Sequence, residues 1–430
     1  MAKFAFAPRR DGNQLANLLL ISLVFAPDGV STATLVSALV EDLQKRGHAV
    51  QVITTMPHYN VDAEAQAQQP LTRRWGGLFS TSRYRNIPVW HTQVARKGDD
   101  AGGRILGYLL FNVLSLWIGL FFVQRPDVIL VVSPPLTSGV VSWLLAKLRR
   151  AKTIYNVQEL YPDTFVKMGR MDANSSTARL LYAVERFIYR RTDMITVICR
   201  AFERTLARKP AKPRAIELIP NFVDPDEIQP GEKRNALSVE LGLADKFVVL
   251  YAGNLGQTQS FDTLLTVAEQ LCDQSEIHFL IVGGGTRQEY IERTITERNL
   301  QNVTLLPYQP RSRVPEIYAT CDLGLVPLMR GTAETTLPSK LYTIMASGRA
   351  VVAAVDEDSD IAETVREANC GITLPPDDAD ALREAILAGW ADPEKMRQYG
   401  ENGRQHALAH FSRQSVSRQY DELLRRLTGG

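Results

Sequence analysis

The sequence predicts an α/β protein built of two Rossmann-like domains that face a cleft. Three observations favour this fold class. The chain has 430 residues, which is enough for two large domains. Short, uninterrupted apolar segments, typical of parallel strands covered on both faces, occur in two separate series. Stretches with helical periodicity lie between these segments, as in doubly wound sheets.

The composition is that of a folded soluble protein and narrows the function classes. Hydrophobic residues make up 45% and charged residues 22% of the chain, which excludes a disordered chain, a collagen-like fibre and a coiled coil. The 49 basic and 47 acidic residues give a net charge of +2. This balance excludes a protein that binds nucleic acid mainly by neutralising phosphates, although a local basic patch stays compatible with it.

The four cysteines predict neither a zinc site nor a disulfide framework, because no two of them form a Cys-x-x-Cys pair. We expect reduced, mostly buried thiols and no metal. The residues are Cys199, Cys272, Cys321 and Cys370.

The N-terminal apolar run has two interpretations. It follows Lys3, Arg9 and Arg10, so it resembles a signal peptide. The alternative is a buried first strand at Leu18–Phe25. We favour the strand, because a turn and an amphipathic helix follow it instead of a cleavage site. Residues 1–14 are then a disordered leader.

The first domain is predicted over residues 15–215. Its first helix lies near Thr32–Arg46, with leucines on one face and Gly47 as its C-terminal stop. The further strands expected here are Ala49–Thr54, Asp127–Val132, Thr153–Val157 and Met194–Ile198.

The second domain is predicted over residues 216–408, and a helical segment follows over 409–430. A strand at Ile216–Val223 is expected to open the second series. Further strands are expected at Phe247–Tyr251, Ile277–Val282, Val303–Leu306, Leu323–Pro327 and Ala350–Ala354, and late helices around Pro393–Tyr399 and Ser415–Leu427.

The segment Ile105–Val123 contains no charged residue. Its length would just allow it to span a bilayer. The two other interpretations are a buried crossover helix of the first domain and a helix that lies on a membrane surface.

Loops that follow strands are the places to look for a ligand site in such a fold, since ligands bind beyond the carboxyl ends of the strands. In the first domain this loop contains Gly29, which permits a close backbone approach. In the second domain Gly253, Asn254 and Gly256 follow a buried strand and form a better phosphate cradle. The run Gly283-Gly284-Gly285 also follows a strand.

The strongest candidate segment runs from Gly331 to Gly348. A helix is expected to begin near Pro338 or Ser339, and Lys340 would add a cation to its first turn. A lysine is unfavourable at that position, which makes an anion site more credible. Glu334 lies just before and can hydrogen-bond a sugar hydroxyl of the same ligand.

Several motifs together resemble the family 4 retaining glycosyltransferases of the GT-B fold, and within them the bacterial group that builds exopolysaccharide and O-antigen, including the fucosamine transferase and colanic acid types. The resemblance runs from about Leu18 to the C-terminus. The motifs are Phe25-Ala26-Pro27, Lys45-Arg46-Gly47-His48, Arg125-Pro126-Asp127, Ser133-Pro134-Pro135-Leu136, Glu159-Leu160-Tyr161-Pro162-Asp163, Ile219-Pro220-Asn221, Tyr251-Ala252-Gly253-Asn254-Leu255-Gly256 with Gln259, Leu337-Pro338-Ser339-Lys340-Leu341-Tyr342 and Ala346-Ser347-Gly348-Arg349.

The resemblance implies a UDP- or GDP-linked sugar held mainly by the C-terminal domain, an acceptor against the N-terminal domain, and a last helix that packs back on the first domain. It also implies retention of the anomeric configuration, without a metal or other cofactor. The residues implied at the donor are Gly29, Gly253, Asn254, Gly256, Gln259, Pro338, Ser339, Lys340, Leu341 and Thr343; the residues implied as catalytic are Glu334 on the donor sugar and Glu159 facing the acceptor. Glu159 would act there as a base or a hydroxyl anchor, and the alternative is a helix-capping role.

The sequence departs from the family pattern at three positions. Glu334 lies one residue away from the strict position of the family's first glutamate, although the subgroup with Pro-Ser-Lys often carries an acidic residue there. Thr343 stands where the second glutamate of a pair usually grips the ribose, and Thr258 stands where a basic residue usually clamps the phosphates. Lys340 is expected to take over that charge.

The resulting hypothesis is a glycosyltransferase that acts on a lipid-linked or saccharide acceptor in cell-surface polysaccharide synthesis. It would be a cytoplasmic protein, peripheral on the inner face of the plasma membrane. The alternatives are a sugar-nucleotide epimerase of the same fold and a non-catalytic subunit that binds a sugar nucleotide.

Overall fold

The computed structural model describes residues 15–58, 61, 63–93, 101–167, 169, 171–209, 213–332 and 339–429. The chain divides into two compact units. The first unit runs to Pro220 and resumes at Val416, and the second unit comprises Asn221–Ser415. The predicted boundaries at 216 and 409 lie a few residues before these limits.

The first unit contains a nine-stranded sheet with the order β3-β4-β5-β2-β1-β6-β7-β8-β9. Only β4 runs antiparallel to its neighbours. The strands are β1 (Asn17–Ile21), β2 (Ala49–Thr55), β3 (Thr72–Arg74), β4 (Phe79–Tyr84), β5 (Ile87–Thr92), β6 (Val128–Val132), β7 (Lys152–Val157), β8 (Met194–Val197) and β9 (Ile216–Leu218).

Helices connect the parallel strands of this sheet, as the alternating pattern predicts. They are α1 (Ser31–Lys45), α2 (Ala63–Gln68), α3 (Ala101–Phe121), α4 (Ser138–Arg149), α5 (Asp163–Lys167), α6 (Ser176–Arg191) and α7 (Arg200–Arg208); a 3-10 turn covers Trp75–Gly77. The central strands β1 and β6 are almost entirely buried, because helices cover the sheet on both faces.

The second unit contains a six-stranded, entirely parallel sheet with the order β12-β11-β10-β13-β14-β15. Its strands are β10 (Phe247–Ala252), β11 (Ile277–Val282), β12 (Val303–Leu306), β13 (Leu323–Pro327), β14 (Ala350–Ala354) and β15 (Gly371–Leu374). Its helices are α8 (Ala236–Glu240), α9 (Phe261–Gln270), α10 (Gln288–Glu297), α11 (Val314–Thr320), α12 (Lys340–Ala346), α13 (Asp360–Glu367), α14 (Ala379–Ala391) and α15 (Pro393–His410), with a 3-10 turn at Arg311–Arg313.

The last helix, α16 (Arg413–Thr428), belongs to the first unit from Val416 onward. Its contacts there are polar and specific. Asp421 accepts a hydrogen bond from the buried His48 at 2.8 Å, and the hydroxyl of Tyr420 accepts one from Asn156 at 3.0 Å. Ser417 donates to Asp42 at 2.9 Å. These buried bonds fix the position of the helix in the first unit.

The fold class is confirmed, with two Rossmann-like sheets in series, of which the second is entirely parallel and the first is parallel except for β4. The strand interpretation of the N-terminus is confirmed as well, because β1 lies in the middle of the first sheet. The predicted leader over residues 1–14 lies outside the described residues. All four cysteines are free, and three are buried; Cys272 is exposed.

Two expectations about secondary structure were wrong. Ile216–Leu218 does not open the second series, since β9 pairs with β8 at the edge of the first sheet. The helix expected at Pro393–Tyr399 extends to His410 as α15.

The uncharged segment Ile105–Val123 forms most of α3, which crosses from β5 to β6 within the first unit. Within the described part of the chain, no helix has the length and apolar character needed to cross a bilayer.

Candidate functional site

The site begins with two loops that follow β10 and β11 at the carboxyl edge of the second sheet. The N–H of Gly253 donates to the carbonyl of Val282 at 2.9 Å, and the N–H of Leu255 donates to Gly284 at 3.0 Å. Gly283 has a φ of +152°, and a Cβ at this residue would lie 1.9 Å from the carbonyl oxygen of Gly253. Glycine is therefore required here for the two loops to run in backbone contact.

Lys340, the first residue of α12, extends its side chain to the first of these loops. Its ammonium group donates to the Oε1 of Gln259 at 2.9 Å and lies 3.7 Å from the centre of the Tyr251 ring. Gly253 lies beside it, since a Cβ there would be in van der Waals contact with the Cε of Lys340 at 3.4 Å, and the φ of +144° favours glycine at this position. No described carboxylate forms an ion pair with Lys340.

Desolvation lowers the pKa of Lys340 well below its ordinary value. The residue itself stays half-buried, so a ligand can still reach it. A buried ammonium with one amide partner and an aromatic face lacks a counter-ion. An anionic ligand would supply that charge and would raise the pKa again.

The residues around Lys340 are held by further loop contacts. Tyr251 donates its hydroxyl hydrogen to the carbonyl of Asn254 at 2.6 Å, and the side-chain amide of Asn254 packs on Gly256. Gln259 is buried and donates through Nε2 to the hydroxyl of Thr258 at 3.2 Å. The bond to Thr258 holds the side-chain amide of Gln259 so that its oxygen faces Lys340.

The structure thus brings together five of the predicted donor residues, namely Gly253, Asn254, Gly256, Gln259 and Lys340. Ser339 directly precedes Lys340 as the residue before the first turn of α12. The side chain of Leu341 is fully buried in the core of the second unit. Glu334 and Pro338 lie outside the described residues.

The two threonines that replace family residues make local contacts. Thr343 is half-buried and its hydroxyl donates to the carbonyl of Ser339 at 3.4 Å. Thr258 accepts the hydrogen bond of Gln259, and its carbonyl accepts one from the N–H of Met329. Neither threonine carries a charge, so Lys340 is the predicted donor residue that supplies a cation beside the first glycine loop.

Three residues at this edge escaped the sequence reasoning. Tyr251 begins the motif that contains Gly253 and Gly256, but only the folded chain shows its ring under Lys340. Tyr308 follows β12 and packs its ring against Gly284, where a Cβ would lie 3.1 Å away. Asp377 follows β15 and accepts hydrogen bonds from Ser260 at 2.5 Å and from the N–H of Arg330 at 3.1 Å. No local pattern marks Tyr308 or Asp377.

The two predicted residues of the first unit lie in loops after parallel strands of its sheet. Gly29 is exposed in the turn between β1 and α1. Its neighbour Asp28 is buried and accepts the N–H of His58 at 2.8 Å, which anchors the turn. Glu159 follows β7. Because β1 and β7 each pair with β6 in parallel, both loops lie at the carboxyl edge of the sheet.

Glu159 is exposed, yet partial desolvation of its carboxyl group raises its pKa, while a hydrogen bond with Tyr161 acts in the opposite direction. Its loop is fixed at the far end by Asp163, which accepts from the hydroxyl of Tyr182 at 2.9 Å and from Lys209. Lys209 also pairs with the buried Glu185. A raised pKa and a fixed loop suit a group that exchanges a proton or anchors a hydroxyl.

No group of three or more His, Cys, Asp or Glu side chains suited to a metal ion occurs among the residues that the structure describes.

Comparisons with known proteins match one family domain to each of the two units. A family model described as "Glycosyl transferase 4-like domain" matches residues 31–221, and one described as "Glycosyl transferases group 1" matches residues 233–406. Together they match most of the chain.

Similar proteins include WcaI of Escherichia coli K12, named as a colanic acid biosynthesis glycosyl transferase. It is 26% identical over 94% of this chain and 98% of its own length. WbjE of Pseudomonas aeruginosa, named as a glycosyltransferase, is 26% identical over 61% of this chain and 66% of its own length.

Solved structures with the same fold include sucrose-phosphate synthase of Thermosynechococcus elongatus, with a TM-score of 0.76, 22% identity, and coverage of 96% of this chain and 99% of that one. Anabaena HepE in complex with UDP and glucose has a TM-score of 0.72 and 16% identity, and covers 96% of this chain and 100% of that one. With its two matched domains and these two parallel sheets, the chain belongs to the family 4 glycosyltransferases of the GT-B fold.

Proposed function

We propose that this glycosyltransferase moves a sugar from a UDP- or GDP-sugar to a lipid-linked or saccharide acceptor in cell-surface polysaccharide synthesis, and that the anomeric configuration is retained. The observation that carries the donor part is the Lys340 ammonium, held over Tyr251 beside the glycine loops without a described counter-ion. A diphosphate offers the charge that this group lacks. HepE, with the same fold, is a protein solved with UDP and with UDP-glucose.

In the proposed reaction, the bond between the anomeric carbon and the β-phosphate oxygen breaks, and its electron pair leaves with the diphosphate. The anomeric carbon passes through an oxocarbenium-like state and bonds to the acceptor oxygen on the same face. Lys340 and the loop backbone stabilise the charge that develops on the leaving diphosphate. Since the chain then supplies charge stabilisation and positioning, the step requires no protein nucleophile.

The proton of the acceptor hydroxyl passes to a departing phosphate oxygen or to a carboxylate. Glu159 is the proposed group that anchors this hydroxyl or takes its proton, because its pKa is raised and its loop is fixed. Glu334 is proposed to bind a hydroxyl of the donor sugar.

The acceptor class and the membrane location belong to the same proposal. WcaI carries the name of a colanic acid biosynthesis enzyme, and WbjE that of a glycosyltransferase. An acceptor carried on a membrane lipid would place the enzyme on the inner face of the plasma membrane.

The experiment combines a thermal-shift screen of UDP- and GDP-sugars with turnover assays on lipid-diphosphate acceptors. We expect stabilisation by one nucleotide class and a glycosylated lipid product by mass spectrometry. Glu159→Gln should reduce turnover and leave donor affinity unchanged, because Glu159 faces the acceptor. The exposed Glu384→Gln is the matched control.

Three results would contradict the proposal. Release of an altered sugar nucleotide from donor alone would indicate an epimerase. Donor binding without turnover across all acceptors would indicate a non-catalytic subunit. Inversion at the anomeric carbon, read by NMR of the product, would exclude the retaining mechanism.

A further inference from the structure

Helix α3 is apolar on two opposite faces, and only one of them packs inside the first unit. Phe111, Ile118 and their neighbours are buried against the sheet and α4. Leu106, Leu109 and Val113, spaced three and four residues apart, point to the opposite face and are exposed. Val113, the least exposed of the three, is still 56% exposed.

The 3-10 turn at Trp75–Gly77 extends this face. Trp75 is 63% exposed, and its ring contacts Trp117 of α3 at 5.4 Å and Phe122 at 5.7 Å between ring centres. Leu78, directly after the turn, is exposed as well. The aromatic contacts hold the turn against the C-terminal half of α3.

The end of α4 completes the surface. The guanidinium of Arg149 donates to the carbonyls of Leu120 at 2.7 Å and Val123 at 2.8 Å, which fixes the end of α4 against the end of α3. Leu148, beside it, is exposed. We call this surface the apolar face, and its residues are Trp75, Leu78, Leu106, Leu109, Leu110, Val113, Phe121 and Leu148.

Large apolar side chains rarely gather at the surface of a protein unless the surface binds something. Eight of the 14 exposed large apolar residues among the described positions belong to the apolar face.

The segments that form the apolar face are strongly basic. Residues 70–92 contain four arginines and no acidic residue, and residues 101–150 contain five basic residues against one aspartate. Together these segments carry a net charge of +8, whereas the whole chain carries +2. Arg73, Lys147 and Arg150 are exposed, and none of them forms an ion pair with a described residue. Leucine and tryptophan flanked by unpaired basic side chains match an anionic membrane interface.

Hydrogen bonds connect helix α3, which carries most of the apolar face, with the loop of Glu159. Asn112, which lies next to Val113, donates to Thr137 at 2.7 Å in the loop after β6. Ser133 of the same loop accepts the N–H of Gln158, the residue before Glu159, at 3.3 Å. The helix that carries most of the apolar face is therefore tied, through the buried Asn112, to the carboxyl edge that carries the proposed acceptor residue.

We propose that the apolar face docks the first unit on an anionic phospholipid bilayer, with Trp75 and the α3 leucines among the acyl chains and Arg73, Lys147 and Arg150 at the headgroups. This inference rests on the proposed function, since it names the membrane surface that a lipid-linked acceptor requires. The acceptor loop then lies beside the lipid-water interface.

The test is co-sedimentation of the full chain with phosphatidylcholine vesicles, with or without phosphatidylglycerol. We expect binding to the anionic vesicles, weakened by salt and several-fold weaker without phosphatidylglycerol. Leu109→Gln/Val113→Gln should reduce the partition coefficient about tenfold or more. The control, Val239→Gln/Leu408→Gln, removes two exposed apolar side chains from helices of the second unit and should leave binding unchanged.

A second variant tests the charge. Arg73→Glu/Lys147→Glu should abolish the preference for anionic vesicles. Three results would overturn the proposal. They are an equal loss of vesicle binding in Leu109→Gln/Val113→Gln and in Val239→Gln/Leu408→Gln, no vesicle binding by the wild-type chain, and a dimer in sedimentation velocity that Leu109→Gln/Val113→Gln dissociates. The affinities for UDP- and GDP-sugars are measured on the same samples. If the chain binds the donor but not the vesicles, only the proposal that the apolar face docks on a membrane is refuted. If it binds the vesicles but not the donor, only the proposed function is refuted.

Discussion

Replacement of Lys340 by methionine is the perturbation that separates the proposed role in donor binding from a structural role. Methionine keeps the apolar stem against Tyr251 and removes the ammonium that donates to Gln259. Without a ligand, the charged form of Lys340 is desolvated, so its loss should not destabilise the chain. We expect the Tm of the ligand-free variant to equal or exceed that of the wild-type protein.

The loss of donor affinity can be estimated from the same contacts. A hydrogen bond to a charged group contributes about 1.5–3 kcal/mol, and part of this is used to protonate Lys340. A net loss of about 2 kcal/mol corresponds to a Kd for the UDP- or GDP-sugar about 30-fold higher. Isothermal titration calorimetry measures it. Lys395→Met is the control, because this lysine also lies near a tyrosine ring, that of Tyr399, in the same unit.

The lowered pKa of Lys340 gives the same prediction a pH dependence. In the ligand-free chain the ammonium loses its proton well below the usual range, whereas a bound diphosphate keeps it protonated. Binding therefore takes up a proton, and donor affinity should fall as the pH rises above the lowered pKa. Lys340→Met should lose this dependence. An unchanged Kd in the variant, or the same pH profile, would refute the reasoning.

Three further predictions concern the framework of the two units. Gly283→Ala would place a Cβ 1.9 Å from a backbone oxygen and should destabilise the second unit by about 3 kcal/mol or more, against about 1 kcal/mol for Gly242→Ala, where the space is open; chemical denaturation measures both. Burial lowers the pKa of His91 to about 4, so the unfolded chain takes up the proton first and stability should fall by about 3 kcal/mol between pH 6.5 and 4. Tryptophan fluorescence follows this loss, and His91→Gln should reduce it. Tyr420→Phe removes one of the two acceptors of the Asn156 side-chain amide, which also donates to Thr196 at 3.0 Å, and should cost about 1 kcal/mol in the same denaturation assay.

Five of the six strands of the second sheet could be predicted from the sequence because they are short, largely apolar runs. The sixth, β15, was missed, and three of its four residues are only half-buried. β11, β12, β13 and β14 begin and end where the pattern placed them. β3, β4 and β5 were missed. β3 is a short, polar edge strand, and β4 consists mainly of serine, threonine, arginine and tyrosine, so neither has the apolar run that marks the other strands. β9 was assigned to the wrong sheet because its three half-buried residues carry no signal of their partner.

Helix α15 shows how packing can override a local signal. Gly400 and Gly403 favour an end near Tyr399, yet the helix continues through both. A Cβ at Gly400 would lie 2.0 Å from the carbonyl oxygen of Gly348, and one at Gly403 would lie 3.1 Å from Cys370. These glycines permit close contact of α15 with its neighbours, which only the folded chain reveals.

The candidate site was predictable to the extent that glycine loops and a lysine at the start of a helix are visible as patterns. The partner of Lys340 was not, because Tyr251 lies 89 positions away on another strand. The same holds for Asp377, whose carboxylate joins the segment after β10 to the segment after β13.

The central claim is that the glycine loops of the second unit and Lys340 hold the diphosphate of the donor. A crystal structure of the full chain with UDP or GDP, whichever nucleotide the thermal-shift screen selects, tests it most directly. We predict a phosphate oxygen about 3 Å from the Nζ of Lys340, with the diphosphate against the backbone of Gly253 and its neighbours. A diphosphate bound elsewhere, with Lys340 still paired only to Gln259, would contradict the account.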